Sequence, residues 1–405
     1  MQSELKRLVV FTPLISRAGA GLYDAVRCLA QAQRQILASH DLQVFSLTDD
    51  LAKTDEGAWN PIKPVHFPRQ LAKSLGFNYR LAGAIKESII SGSLLHIHGV
   101  WEMTSYLAGI SASKTSIPYV ISPHGMLDAW ALSNSKIKKK IAITGFVRRH
   151  IQRASCMHAL CEAEYYSIRQ FGYRGPVAII KNGVNIPEYS SKEPQQLAPW
   201  DSLISDMEKP KKVLLFLGRI TEKKGVLELI ESWNSVQKQL HRWRLVIAGP
   251  HESEKYIDSI NAYIQKNNLQ NSIMIIGPQF GKQKIACFQN SDAFALTSFS
   301  EGVPLAVLEA AAYKKPVVLS EQCNLPDLKT REAAITVDAK SSASIAGGLL
   351  SLVQQDDHAL KEMALRGYKY VSEMCTWKSV AEQHLEVYSW LLGIRTTRPS
   401  FIRLD

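Results

Sequence analysis

The chain has 405 residues, 46% of them hydrophobic and 21% charged, a composition that excludes a disordered or fibrous chain and implies two or three folded domains. No apolar run reaches the roughly 18 residues of a membrane span, and the opening Met1-Gln-Ser-Glu-Leu-Lys-Arg-Leu-Val-Val-Phe has no signal-peptide core, so a cytoplasmic protein is expected. Most of the formal net charge of +11 falls in residues 1–188, which points to a phosphorylated substrate, an anionic membrane surface or nucleic acid.

Short apolar runs at Leu8–Thr12, Leu42–Leu47, Leu94–His98, Tyr119–Ser122, Cys156–Leu160 and Val177–Ile180 predict buried strands. Helical patterns over Leu22–Ile36, Asn78–Ser91 and Lys136–Arg153 lie between them, the rhythm of a doubly wound parallel sheet. The rhythm lapses where Pro187, Pro194, Pro199 and Pro210 are spaced by Ser and Gln, a linker composition. It restarts with runs at Val213–Leu217, Arg244–Ala248, Ile273–Ile276, Ala293–Leu296, Pro316–Leu319 and Ala334–Val337. The expected plan is α/β, with two Rossmann-like parallel-sheet domains at 1–188 and 211–375, a linker at 189–210, and a terminal segment at 376–405. The helix of that segment, Trp377–Leu392, is expected to cross back to the first domain. Ligands of such sheets lie at the carboxyl ends of the strands, and two facing domains would form a cleft.

The segment Ser298-Phe-Ser-Glu301-Gly-Val-Pro304-Leu-Ala-Val-Leu-Glu309 sets two carboxylates eight residues apart. Glu301 falls in a loop, Glu309 in an Ala/Leu-rich helix, and Pro304 suits the first helical position. The helix N-terminus is an anion site, and a carboxylate beside it suits a ligand with both phosphates and hydroxyls. A bland reading has Glu301 exposed and Glu309 paired with Lys314. Upstream, Gly218-Arg219-Ile-Thr-Glu-Lys-Lys224-Gly225 follows a strand. Gly218 allows a tight exit, Arg219 offers a fork to phosphate oxygens, and Lys224 adds a point charge.

In the first domain, Gly19-Ala-Gly21 lacks the third glycine of a dinucleotide fingerprint, since Asp24 stands there, so a dinucleotide site is disfavoured and a plain tight turn fits these residues. His124 ends a strand in Ser122-Pro-His124-Gly-Met-Leu. His96 and His98 alternate along another strand and share a face, with His96 read as core. The six cysteines are scattered without C-x-x-C spacing, and no metal or other cofactor is expected. Lys136, Lys138, Lys139, Lys140, Arg148, Arg149 and Arg153 share a window with Ile137, Ile141, Ile143, Phe146, Val147 and Ile151. That pattern reads as a solvated face or as a surface for anionic lipid or a polyprenyl diphosphate.

Taken together, Glu301-x7-Glu309, Gly218-Arg219…Lys224-Gly225, Asn182-Gly-Val184 and Ser122-Pro-His124-Gly-Met-Leu resemble the retaining glycosyltransferases of family four, of GT-B fold, over nearly the whole chain. The resemblance implies transfer of a hexosyl group from a UDP-, GDP- or ADP-linked sugar to an acceptor hydroxyl, without a metal. It places Arg219 and Lys224 on the donor diphosphate, and Glu301 and His124 by the transferred sugar. Gly302 and Val303 amides would lie beside the sugar and β-phosphate, Glu309 on the ribose, and Gly277, Pro278 and Gln279 at the base. Gly19, Gly21 and His98 fall on the acceptor or phosphate side. The run through Trp130-Ala-Leu132 is similar to enzymes of surface and exopolysaccharide assembly, which implies a lipid-linked or surface-polysaccharide acceptor at the inner face of the cytoplasmic membrane. A nucleotide-sugar epimerase of the same fold and a basic nucleic-acid-binding protein stay open as alternatives, although no aromatic-interleaved basic motif supports nucleic acid.

Overall fold

Leu8, Val9, Val10 and Phe11 are sealed on both faces of strand β1 (Arg7–Thr12), as the middle of a parallel sheet requires. Around it stand β2 (Asp41–Thr48), β3 (Val65–Pro68), β4 (Ser93–His98), β5 (Tyr119–Ser122), β6 (Cys156–Ala159) and β7 (Val177–Ile179). The computed structural model describes residues 5–37, 41–70, 76–133, 142–188, 197–201 and 212–404. The chain divides into two units, Met1–Gly183 with Trp377–Asp405, and Val184–Thr376.

In the first unit the strands run β14-β7-β6-β5-β4-β1-β2-β3, all parallel except β14 (Ile402–Arg403), which pairs antiparallel with β7. In the second, β8 (Lys212–Leu217), β9 (Trp243–Ala248), β10 (Ile273–Gly277), β11 (Ala293–Leu296), β12 (Val317–Ser320) and β13 (Ile335–Val337) form an all-parallel sheet in the order β10-β9-β8-β11-β12-β13. Each order reverses direction once, between β1 and β4 and between β8 and β11. Ligands of doubly wound sheets bind outside such switch points. The loops after β8 and β11 carry Arg219, Lys224 and Glu301, the loops after β1 and β5 carry Gly19 and His124, and His98 is the last residue of β4.

Two strands had no sequence signal. Val65-His-Phe-Pro is a half-exposed edge strand that ends in proline, and β14 has two residues. Of the linker at 189–210, only residues 197–201 are described, with Ala198 and Trp200 buried. Lys136–Ile141 of the basic window lie outside the described residues. In the remainder a π turn, Ile143–Val147, runs into helix Arg148–Gln152. Ala142, Phe146, Val147 and Ile151 belong to the core of the first unit, while Arg148, Arg149 and Arg153 are exposed. The described apolar side chains of this segment thus pack into the protein's own core. Among the described residues, no helix is long and apolar enough to cross one.

Helix Trp377–Leu391 buries Trp377, Val380, Ala381, Val387 and Tyr388, and packs on helix Gly21–Leu37, where Gln33 Nε2 donates to Tyr388 Oη at 3.0 Å. Gly183 lies under its first turn: a Cβ there would stand 2.5 Å from Trp377 Cδ2 and 2.9 Å from Trp377 Cα. Backbone atoms cannot give way cheaply, so Gly183→Ala should destabilise the protein by about 1–3 kcal/mol, read as a lower urea midpoint at unchanged slope. An unchanged midpoint would show that this close approach has no energetic weight.

Candidate active site

Glycine lets the two switch-point loops of the second unit meet. Gly225 has φ +65°, and a Cβ on it would lie 2.2 Å from the carbonyl oxygen of Thr297, so no other residue fits without moving backbone. Thr297 Oγ1 donates to the Gly225 carbonyl at 2.9 Å, and the Phe299 N–H to the Lys223 carbonyl at 2.8 Å. The loop after β8 is thereby laced to the loop after β11, and Lys224 Nζ comes to rest 2.5 Å from Glu301 Oε1.

Glu301 is held from a third side. Its N–H donates to the Gln322 carbonyl at 3.0 Å, and the Glu301 carbonyl accepts from Asn324 Nδ2 at 2.6 Å. Burial works to raise the Glu301 carboxyl, but the Lys224 ammonium outweighs it and holds the group below the usual carboxylate range. An ionised carboxylate with an ammonium beside it can accept from ligand hydroxyls and offer charge to a phosphate at one place.

Helix Leu305–Ala312 starts one residue later than expected. Pro304 is its N-cap, with ψ 120°, because an extended backbone there lets the chain turn in from Val303 without needing an N–H. Glu309 is paired across to Lys284 Nζ at 2.7 Å, on helix Lys282–Asn290. Its expected structural partner, Lys314, instead lies over the Tyr368 ring. Arg219 pairs with Glu252 in the loop after β9, and both side chains are about half exposed. Gly277 closes β10 at φ +71°, and Gln279 Nε2 donates back to the Ile276 carbonyl at 3.1 Å, turning a compact loop at that strand's end. Gly302 is part-exposed next to Glu301, whereas the Val303 side chain is buried.

In the first unit, the loop after β1 is fixed by charge. Arg17 Nε lies 2.9 Å from both oxygens of the buried Asp55, and the Arg17 N–H donates to it at 2.7 Å. That guanidinium holds the Asp55 carboxyl below its ordinary range. The left-handed residue of this loop is Ala20, at φ +48°, and not Gly19 or Gly21, which therefore do not need glycine for their dihedrals.

Five histidines gather beside β4, β5 and β6. His98 Nδ1 and His124 Nε2 share a hydrogen bond of 2.9 Å, and the His96 and His98 rings lie 4.1 Å apart on one face. Burial pushes His96 and His98 well below the usual histidine range, His124 to about 3 and His158 to about 4, so all four are neutral at pH 7. Neutrality fixes the proton positions. The Ile180 carbonyl only accepts, so His158 Nε2 donates to it at 2.8 Å and His158 Nδ1 accepts from Ser122 Oγ at 2.7 Å. Ser122 Oγ then accepts from His96 Nε2 at 2.7 Å, leaving His96 Nδ1 to accept from the Tyr388 hydroxyl at 2.7 Å. The chain thus runs one way, from Gln33 to the Ile180 carbonyl.

His96, His158 and His384 bring one nitrogen each within 4.8 Å of one another. Both nitrogens of His96 and of His158 are used in this chain, while the His384 ring lies against theirs, with centroids 5.6 and 4.6 Å away. His384 Nδ1 donates to the Val380 carbonyl at 2.9 Å. His158, His384, Asn324 and Lys284 had no sequence signal, because their bonds or ring contacts at the site are to residues 22 or more positions away.

Residues 204–370 match the family model of glycosyl transferases group 1, and residues 23–187 that of glycosyltransferase family 4. Over 336 residues the chain is 23% identical to a GDP-mannose:cellobiosyl-diphosphopolyprenol alpha-mannosyltransferase of Xanthomonas oryzae pv. oryzae, covering 78% of this chain and 79% of that one. It is 27% identical over 143 residues to the amylovoran biosynthesis glycosyltransferase AmsD of Erwinia amylovora, covering 35% and 39%. Anabaena HepE, solved with UDP and glucose, shares the fold at a TM-score of 0.75 and 18% identity, over 95% of this chain and 100% of that one.

Lys224→Met would leave the Glu301 carboxylate without its counter-charge and should cost about 3 kcal/mol of stability at pH 7. The carboxyl is lowered in the folded state, so its contribution is present above the ordinary carboxylate pKa and disappears as pH falls through the folded value. The gap between wild type and variant in urea titrations should therefore close toward acid pH. A gap that is constant down to pH 3 would contradict the pairing.

Proposed function

Given that the chain belongs to the family-four glycosyltransferases, with the GT-B fold and glycosyl transfer as its activity, we propose that it moves a hexosyl group from a nucleoside diphosphate sugar with retention at the anomeric carbon. The observation that carries this reading is the Lys224–Glu301 pair, set before the N-terminus of helix Leu305–Ala312 at a switch point of the sheet. Cation, dipole end and ionised carboxylate at one place match a ligand that joins phosphate to sugar hydroxyls.

The bond from C1 to the diphosphate oxygen breaks and a bond from C1 to the acceptor oxygen forms on the same face. The acceptor proton passes to the departing phosphate, so no side chain is assigned as general base. Negative charge grows on the leaving diphosphate, where Lys224, Arg219 and the helix N-terminus stabilise it. Arg219 must leave Glu252 to do so. An exposed ion pair is worth only about 0–1 kcal/mol, so a diphosphate competes easily. These fixed positive groups supply the counter-charge, and the transfer is proposed to need no metal or other cofactor.

Glu301 accepts from hydroxyls of the transferred sugar, and the Gly302 and Val303 amides serve the sugar and β-phosphate. Glu309, steadied by Lys284, accepts from the ribose. Gly218 lets the loop after β8 pass close to the phosphates, while Gly277, Pro278 and Gln279 face the base. On the first unit, His124 meets a sugar hydroxyl, with His98, Gly19 and Gly21 on the acceptor or phosphate side.

The relative from Xanthomonas acts, by its name, on a diphosphopolyprenol-linked glycan, which favours a lipid-linked or surface-polysaccharide acceptor here. Work at the inner face of the cytoplasmic membrane would then draw on the basic window Lys136–Arg153, each Lys or Arg near an anionic surface adding about 1 kcal/mol.

A thermal-shift panel of UDP-, GDP- and ADP-sugars should single out one nucleotide, and NMR of the product should show the donor's anomeric configuration kept. With that donor, Glu309→Ala should raise the donor KM about tenfold or more, and Lys224→Ala and Arg219→Ala should lower kcat by about 100-fold, with rates unmoved by EDTA. Unchanged donor kinetics in all three variants would sink the assignment. Replacing Lys138, Lys139, Lys140, Arg148, Arg149 and Arg153 by Gln should weaken binding to anionic vesicles; equal binding would remove the membrane contact.

A further inference from the structure

His124 and Gly125 are consecutive left-handed residues, at φ +53° and +74°. Glycine takes that conformation freely, but histidine does not, so something must hold the turn. The group that does so is the carboxylate of Glu164, 4% exposed, in the first turn of helix Glu162–Phe171. Its Oε1 accepts from the Gly125 N–H at 2.6 Å and its Oε2 from the Leu160 N–H at 2.7 Å, just beyond β6. One carboxylate thus brackets the loop after β5 to the loop after β6. A buried carboxylate is a costly way to join two loops unless both bonds are charge-assisted, and here both are.

We propose that Glu164 is a positioning residue: its buried carboxylate keeps the His124–Gly125 turn left-handed and so fixes the hydrogen-bonded pair that His124 makes with His98. Strand β4 holds His98, and the turn alone decides where the His124 ring points. In the neutral pair one imidazole donates and the other accepts. The outer nitrogens, His98 Nε2 and His124 Nδ1, are then one N–H and one lone pair in either tautomer. That set suits a ligand hydroxyl, which is itself donor and acceptor. If the turn relaxes to right-handed, the pair separates and each ring loses its fixed tautomer.

Glu164→Gln tests this, because the amide can accept from one of the two N–H groups but presents its own N–H to the other. The kinetic arm rests on the role proposed for His124; the spectroscopic arm does not. Long-range 1H–15N spectra of the wild type should show one fixed tautomer each for His98 and His124, and in E164Q both should move toward tautomer averaging. In transfer assays kcat should fall about tenfold to 100-fold at a donor KM within about twofold. The double variant E164Q/H124Q should be no slower than H124Q, since both changes remove the same ring from its place. Unchanged imidazole signals in E164Q, or losses that multiply in the double variant, would overturn the proposal. Where E164Q does not fold, Glu164→Asp keeps the charge but withdraws it by one methylene, and the same readouts apply. A wild type that transfers from no nucleotide sugar would defeat the functional reading, and the imidazole spectra would still decide the role of Glu164.

Discussion

The strand-end loops of the second unit depend on one ion pair, Lys224 with Glu301. Burying a carboxylate is costly, and here the ammonium offsets the cost only because two loops from non-consecutive strands approach within 2.5 Å. That approach in turn requires Gly225 to sit left-handed against the Thr297 carbonyl. Beside it, Gly249, at φ +149°, lets the loop after β9 pass the Gly218 carbonyl oxygen, from which a Cβ would stand only 1.8 Å. Asn324 and Gln322 then hold the Glu301 backbone, so the carboxylate is fixed by the sheet order and not by its own loop.

The first unit solves a similar problem without charge. Its histidines are buried and neutral, and the path from Gln33 through Tyr388, His96, Ser122 and His158 to the Ile180 carbonyl has a single consistent proton direction. Each member is a donor to the next, so removing one leaves a buried lone pair or N–H with no partner, which costs about 1–3 kcal/mol. Through Tyr388 the same network anchors helix Trp377–Leu391 to the sheet, and the His384 ring packs edge-on against His158. The charged exceptions, Asp55 with Arg17 and Glu164 with two N–H groups, both brace loops at the strand ends.

Much of this was legible in one dimension. Apolar runs marked the central strands within a residue or so, because a parallel strand buried on both faces must be apolar throughout. The edge strand Val65–Pro68 was not legible, since half its surface faces water, and neither was the two-residue β14. The basic window Lys136–Arg153 was ambiguous for a related reason. Interleaved Ile, Phe and Val look the same whether they face lipid or the protein's own core, and Phe146, Val147 and Ile151 face the core.

The residues by themselves determined the α/β class, the two sheets, and the segments that carry Arg219, Lys224, Glu301, Glu309, His98 and His124. All of these follow from local periodicity, loop composition and spacing. Only the tertiary structure decided the partners: Glu309 with Lys284 rather than Lys314, Arg219 with Glu252, Gly125 with Glu164, and His96 with Tyr388 some 292 residues away. Hydrogen bonds and ion pairs act over a few ångströms of space, whatever the separation along the chain. Which side chains come that close is set by the order of strands in a sheet, and periodicity along a single strand does not contain that order.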